Sequence, residues 1–263
     1  MRSDPTARPG TLYLVPSPLD FGLPDAASQP LDELLPRSAI RVAARLGAWV
    51  CENPKTTRAF LKRVDAVIPL ATPLQGLAMR ELPRPAKGAP RASPPASSDP
   101  WDALLAPALA GTDLGLHSEA GLPAVADPGA ALVAAAHRHG VPVVALPGAS
   151  ATVLALAASG LQGQNFAFVG YLPVDPAART QRIRELEALA RRADQTQLMI
   201  ETPYRNPALL SALLAALRPD TRLAVSVGLA TQAEFHRSDP VARWRQSPSA
   251  LPADVPAVFA IGG

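Results

Sequence analysis

The segment Ser118-Glu119-Ala120-Gly121-Leu122-Pro123-Ala124-Val125-Ala126-Asp127-Pro128-Gly129 follows an apolar run, Leu114 to Leu116, and precedes the Ala-rich pattern Ala130 to Ala136. That succession implies a strand, a long loop and a helix. In an α/β sheet such a loop lies at the carboxyl end of its strand, where ligands bind. Its small residues also let backbone amides approach a small molecule closely.

The rest of the chain repeats the alternation. Thr11 to Val15 reads as a first strand closed by Pro16 and Pro18, Leu46 to Cys51 as a second, Thr56 to Val64 as a helix, and Ala66 to Leu70 as a third short strand. Val141 to Leu146 supplies another strand before Pro147-Gly148. Interleaving of this kind predicts a parallel, doubly wound sheet. Beyond Ser150 a second set follows: Phe166 to Tyr171, a charged helix Ala177 to Arg192, Gln197 to Ile200, a helix Pro207 to Leu217, Leu223 to Val227 and Val255 to Ile261. The expectation is two α/β domains, residues 1–148 and 149–263, with a ligand cleft between them. Pro83 to Pro100 is rich in Pro and holds several basic residues, and is expected to be a flexible surface loop.

Composition narrows the class without naming a function. With 48% hydrophobic and 18% charged residues the chain is globular, and its net charge of +3 permits a polyanionic partner without requiring one. The single cysteine, Cys51, excludes an intrachain disulfide and any multi-cysteine metal site. Met1 to Gly10 has no apolar signal-peptide core, and Ala149 to Leu161, the most apolar stretch, is too short to span a bilayer. These features predict a cytoplasmic protein that does not enter a membrane.

The usual catalytic signatures are missing. No Gly-rich phosphate loop follows a predicted strand, which weighs against nucleoside triphosphate and ordinary dinucleotide binding. Gly148-Ala149-Ser150-Ala151-Thr152 lacks the final Gly of a nucleophile elbow, and Ser150 is expected to cap the next helix. His137 and His139, two apart on a helix, point to different faces and cannot make a metal pair. His117 ends a strand beside the long loop, as a packed or solvent-facing side chain or as a catalytic one. What remains is a convergence: Val15 to Pro18, Ser118 to Gly129 and Pro147 to Ala151 all follow predicted strands, and Glu201 to Arg205 follows a strand of the second set.

In this order the segments resemble the tetrapyrrole methylase superfamily of S-adenosylmethionine-dependent methyltransferases. Ser118 to Gly129 is similar to the Ser-Asp/Glu-Ala-Gly-x-Pro motif of the branch that methylates a ribose 2′-hydroxyl of small-subunit ribosomal RNA, the small subunit methyltransferase I branch. Leu12 to Pro16, Glu52 to Arg58, Leu146 to Ser150, Asn165 to Pro173 and Glu201 to Arg205 resemble further motifs of that branch. Departures occur at Pro18-Leu19-Asp20-Phe21, where Pro-Ile-Gly-Asn is usual, at Asn53 and Lys55, which replace an acid and an arginine, and at Leu229-Ala230-Thr231.

The resemblance implies S-adenosylmethionine held by Pro18, Ala120, Gly121, Leu122, Val125, Ser150, Ala151, Glu201, Thr202 and Ala230, mainly through backbone groups, with no metal. It implies an RNA acceptor met by Asn53, Lys55, Arg58, Tyr204 and Arg205, and a homodimer. Glu52 and Glu201 are the candidate general bases. Two other readings stay open: methylation of a tetrapyrrole or another small molecule, and a catalytically silent cofactor-binding protein.

Overall fold

The structure, a computed structural model, describes residues 8–20, 29–83, 100–247 and 249–263. Residues 84–99, nearly all of the Pro-rich stretch, lie outside the described residues, as does Phe21. The chain divides into two compact units, Met1–Ala149 and Ser150–Gly263.

The first unit runs β1 (Leu12–Val15), α1 (Leu31–Leu34), α2 (Arg37–Arg45), β2 (Ala48–Cys51), α3 (Pro54–Val67), β3 (Ala78–Glu81), α4 (Pro100–Leu109), β4 (Leu114–His117), α5 (Ala130–Arg138) and β5 (Val143–Ala145). All five strands are parallel, in the order β3-β2-β4-β1-β5. Both faces are covered, which is why β2 and β4 read as continuous apolar runs rather than alternating ones. Val15 and Trp49 pack with Leu31, Ile40 and Leu61 of α1 to α3. Leu12, Val50, Leu114 and Leu116 pack with Leu105 and Leu132 of α4 and α5.

Trp49 sets the tightest packing in this sheet. It is buried, its indole N–H donates to Leu46 O at 3.2 Å, and a Cβ on Gly115 of the neighbouring strand would lie 2.6 Å from its ring. Only glycine fits there.

Helix α3 starts at Pro54, with the Asn53 side chain accepting from the Lys55 amide at 2.9 Å. Thr57, Phe60, Leu61 and Val64 form its buried face. The third strand expected at Ala66 to Leu70 is not formed: Ala66 and Val67 continue the helix, and Pro69 lies just beyond its end. The real third strand, β3, is an edge strand that is mostly exposed, so the sequence carries no apolar run to mark it.

Register decides what reaches the carboxyl edge. Val15, His117, Cys51 and Glu81 lie side by side across β1, β4, β2 and β3. The next residues, Pro16, Ser118 and Glu52, therefore leave the sheet at one edge.

The second unit runs α6 (Ala151–Ser159), β6 (Phe166–Tyr171), α7 (Pro176–Ala193), β7 (Thr196–Ile200), α8 (Asn206–Ala216), β8 (Arg222–Val227), β9 (Phe235–Pro240), α9 (Val241–Gln246) and β10 (Ala257–Gly262). Its sheet is mixed, in the order β6-β7-β10-β8-β9, with β10 antiparallel to both neighbours. Strand β9 and helix α9 were not expected from sequence: β9 is a polar edge strand and α9 is short. Buried Trp244 anchors α9 by donating to Leu223 O at 2.8 Å. Among the described residues no helix is long and apolar enough to cross a membrane.

Gly115→Ala is expected to destabilise the first unit by about 1–3 kcal/mol through overpacking against Trp49. The control Gly163→Ala, whose Cβ would meet nothing within 4 Å, is expected to change stability by less than about 0.5 kcal/mol. Urea titration of both variants checks this; a neutral Gly115→Ala would contradict the packing.

Candidate functional site

Three loops of the first unit interlock above the carboxyl ends of β1, β4 and β5. The Ser17 amide donates to Gly121 O at 2.8 Å and the Gly121 amide to Ser17 O at 3.2 Å, a single antiparallel bridge between the first and the long loop. A Cβ on Gly121 would lie 3.4 Å from Leu19 and 3.6 Å from Ala149 O, and one on Gly148 would lie 2.3 Å from Pro16. Small residues are required here because the neighbouring loops meet at contact distance.

The long loop is also strained. Gly121, Ala124, Ala126 and Gly129 all have positive φ, and for the two alanines this costs roughly 1–2 kcal/mol each. Strain held in a strand-end loop points to a binding role. Among the described residues, the Ala120 and Leu122 amides have no acceptor within the chain, and the buried Ser118 hydroxyl has no partner.

Beneath this loop His117 is fully buried. Its Nε2 meets Ser17 Oγ at 2.6 Å, its Nδ1 meets Thr57 Oγ1 at 3.0 Å, and Phe60 stacks on its ring at 4.4 Å. Ser17 also reaches Ser118 O at 2.7 Å and Thr57 reaches Asn53 O at 3.0 Å. Each hydroxyl has one hydrogen, so a neutral imidazole leaves this chain of contacts one hydrogen short, and an imidazolium would complete it. Burial wins: it drives the His117 pKa from 6.5 down to about 3. The ring is therefore a neutral tie between the first loop, the long loop and α3, and not an acid–base group. A second tie is the ion pair between buried Asp20 and Arg63 at 2.9 Å. The unusual acid in the first loop thus fastens that loop to α3.

Three carboxyl groups lie around the start of the long loop. Glu52 accepts from the Glu119 amide at 3.3 Å, and Asn53 donates to Glu119 at 3.1 Å. Burial raises the Glu52 pKa, opposed by that amide and assisted by the Glu119 charge. Asp127 is raised from 3.8 to about 7, first by burial and then by the charges of Glu52 and Glu119. Among the described residues no group of His, Cys, Asp and Glu side chains is arranged to hold a metal.

The remaining expected site residues belong to the second unit. Ser150 occupies the N-cap position of α6, but its hydroxyl meets Thr152 Oγ1 at 2.9 Å and caps no amide. Glu201 is buried and fully engaged, with Arg205 at 3.0 Å and the Thr202 amide and hydroxyl at 2.8 and 3.2 Å. Glu201 thus accepts on both carboxylate oxygens, and Arg205 uses one guanidinium nitrogen in the pair. Tyr204 is 71% exposed.

Ala230 has φ of 59° and donates its amide to Glu234 at 2.7 Å. Glu234 in turn meets His236 Nε2 at 2.7 Å, and His236 Nδ1 meets Ser226 at 2.9 Å. This has the residue types of a serine hydrolase triad, yet Ser226 is buried within β8 and its hydroxyl cannot reach a substrate. The relay holds the Ala230 turn, and the hydrogen bond from His236 keeps the Glu234 pKa low.

The family description "Tetrapyrrole (Corrin/Porphyrin) Methylases" matches residues 32–242. The chain belongs to this family. Its relatives include the ribosomal RNA small subunit methyltransferase I of Micromonospora olivasterospora, 35% identical over 208 residues, covering 79% of this chain and 56% of that protein. The enzyme of that name from Halalkalibacterium halodurans is 31% identical over 208 residues, covering 79% of this chain and 61% of that protein. The chain thus spans somewhat over half the length of these curated relatives. A crystal structure of the methyltransferase CobJ aligns with a TM-score of 0.51 at 18% identity, covering 97% of this chain and 94% of that one, a likeness of fold.

Two features of this site carry no mark in the sequence, and a third is only hinted at. Ser17 and Thr57 gave no signal alone, since their partners lie 100 and 60 residues away at His117. Asp127 was visible inside the long-loop motif, and its two neighbouring acids were the available clue.

His117→Leu is expected to destabilise the first unit by about 1–3 kcal/mol at pH 7. Because the folded pKa is depressed, the native protein loses this contribution as pH falls from 6.5 towards 3. The difference between native and variant stability, measured by denaturation at several pH values, is expected to shrink over that range. A difference independent of pH would contradict a neutral buried imidazole.

Proposed function

We propose that the chain is an S-adenosylmethionine-dependent methyltransferase acting on a ribose 2′-hydroxyl of ribosomal RNA, in the cytoplasm and as a homodimer. The observation that carries the reading is the strained Ser118 to Gly129 loop, bridged to Ser17 at Gly121, with the Ala120 and Leu122 amides free of partners. Family membership and the printed names of the relatives support it.

The donor set fits the cofactor. Free backbone amides and a buried, unpartnered Ser118 hydroxyl suit a small polar molecule with a carboxylate and a ribose. In this reading Pro18, Ala120, Gly121, Leu122 and Val125 of the first unit hold it. When bound, S-adenosylmethionine supplies an electrophilic methyl group on a sulfonium.

The chain's own residues then have two tasks. The first is positioning, which supplies on the order of 7 kcal/mol or more of barrier reduction when nucleophile and methyl are aligned. The ties through His117, Ser17 and Asp20 make the loop rigid enough for it. The second is to take the proton from the attacking hydroxyl, and Glu52 is the group assigned to it. Its raised pKa makes it a stronger base than an ordinary carboxylate. Asn53 caps α3 and Lys55 and Arg58 lie in its first two turns, where in this reading they meet the acceptor.

Calorimetry is expected to show S-adenosylmethionine binding to the native protein and none to Gly121→Trp. Failure of the native protein to bind would remove the cofactor assignment. Glu52→Gln is expected to lower kcat by about 10²- to 10⁴-fold with unchanged cofactor affinity. The activity of the native enzyme should rise with pH as the Glu52 and Asp127 cluster ionises. Glu119→Gln removes the negative neighbour that raises Glu52, so the acid limb should move to lower pH. A limb that stays in place would locate the base elsewhere.

A further inference from the structure

Helix α3 carries Lys55, Arg58 and Lys62 at a spacing that puts them along one side. With Ala59 and with Leu74 and Gln75 of the following short turn they line an open groove of about 500 Å³. All three cationic side chains are exposed, and among the described residues none has a hydrogen-bond or ion-pair partner. Their neighbours differ: Arg63 is paired with Asp20, and Asp65, the one acid on the helix, accepts from the Leu70 amide at 2.9 Å.

The placement works against the helix itself. The first turn of α3, from Pro54, holds no acid but carries Lys55, with Arg58 in the next turn, where the helix dipole favours negative charge. Unneutralised cations at the positive end of a dipole make an electrostatic site for an anion. The groove starts immediately after Glu52 and Asn53, so a ligand lying along it would lead directly to the candidate base.

We propose that this groove tracks the phosphate backbone of single-stranded RNA flanking the modified nucleotide. This rests on the RNA reading above and adds Lys62 and Gln75 to it. Seven residues of rise separate Lys55 from Lys62, roughly 10 Å, long enough for the row to follow a short stretch of one strand. A collinear row of three charges follows one strand. Leu74 and Gln75 present an apolar surface and an amide to the sugar or base edge, groups that a single strand leaves open.

The test is binding of a labelled single-stranded ribo-oligonucleotide to the full chain, by fluorescence anisotropy over a range of salt concentrations. Each of Lys55→Gln, Arg58→Gln and Lys62→Gln is expected to reduce the slope of log affinity against log salt by about 0.7, and the triple variant by about 2. Between 50 and 200 mM salt the native affinity should then fall roughly 20-fold more than that of the triple variant. Circular dichroism checks that the exposed substitutions leave the fold intact. Unchanged slopes would overturn the proposal, as would a steeper slope for the matching duplex, or a polyglutamate peptide competing as well as RNA. Calorimetry with S-adenosylmethionine on the same samples separates the two readings. Cofactor binding with unchanged RNA slopes rejects the groove alone, whereas reduced slopes without cofactor binding reject the methyltransferase reading and keep the groove.

Discussion

His117 sits where the sheet of the first unit runs out, and the burial that keeps its imidazole neutral also decides how the loops above it meet. Ser17 and Thr57 are held on its two nitrogens, Ser118 is fixed by Ser17, and Gly121 is paired with Ser17 in turn. A charged ring would satisfy every hydrogen bond in the chain, but desolvation outweighs that gain. The positive φ values of Ala124 and Ala126 persist because this network, together with Gly129 packed against Leu116, over-determines the loop.

Charge is sorted around these ties. Glu52, Glu119 and Asp127 gather at the strand ends, where burial and the neighbouring acids make Glu52 and Asp127 reluctant to ionise. Immediately beyond, α3 carries only cations on its groove side. An acceptor that is a polyanion with a reactive hydroxyl suits both halves of this arrangement, since its phosphates meet the cations and its hydroxyl meets a carboxylate of raised basicity.

Much of this was legible in the sequence because parallel strands buried on both faces must be apolar, and β1, β2 and β4 are. The long loop was legible because Gly121, Pro123 and Gly129 punctuate it between a strand and a helix. Edge strands β3 and β9 were not, because their exposed residues carry no periodic signal. The site divided in the same way. Residues acting through backbone were readable from the loop's composition, while the His117 ties and the Glu201–Arg205 pair depend on contacts that only folding creates. Asp20 shows the gain most clearly: in the sequence it is a departure from the family pattern in the first loop, and the structure makes it an anchor to Arg63.

Methyl transfer to RNA is proposed to take place at the Ser118 to Gly129 loop. Its most direct test is incubation of the purified protein with methyl-labelled S-adenosylmethionine and small-subunit ribosomal RNA, followed by digestion and nucleoside separation. The label is predicted in a 2′-O-methylated nucleoside, and only with active protein. Label in a small molecule alone, or no transfer despite tight cofactor binding, would contradict it.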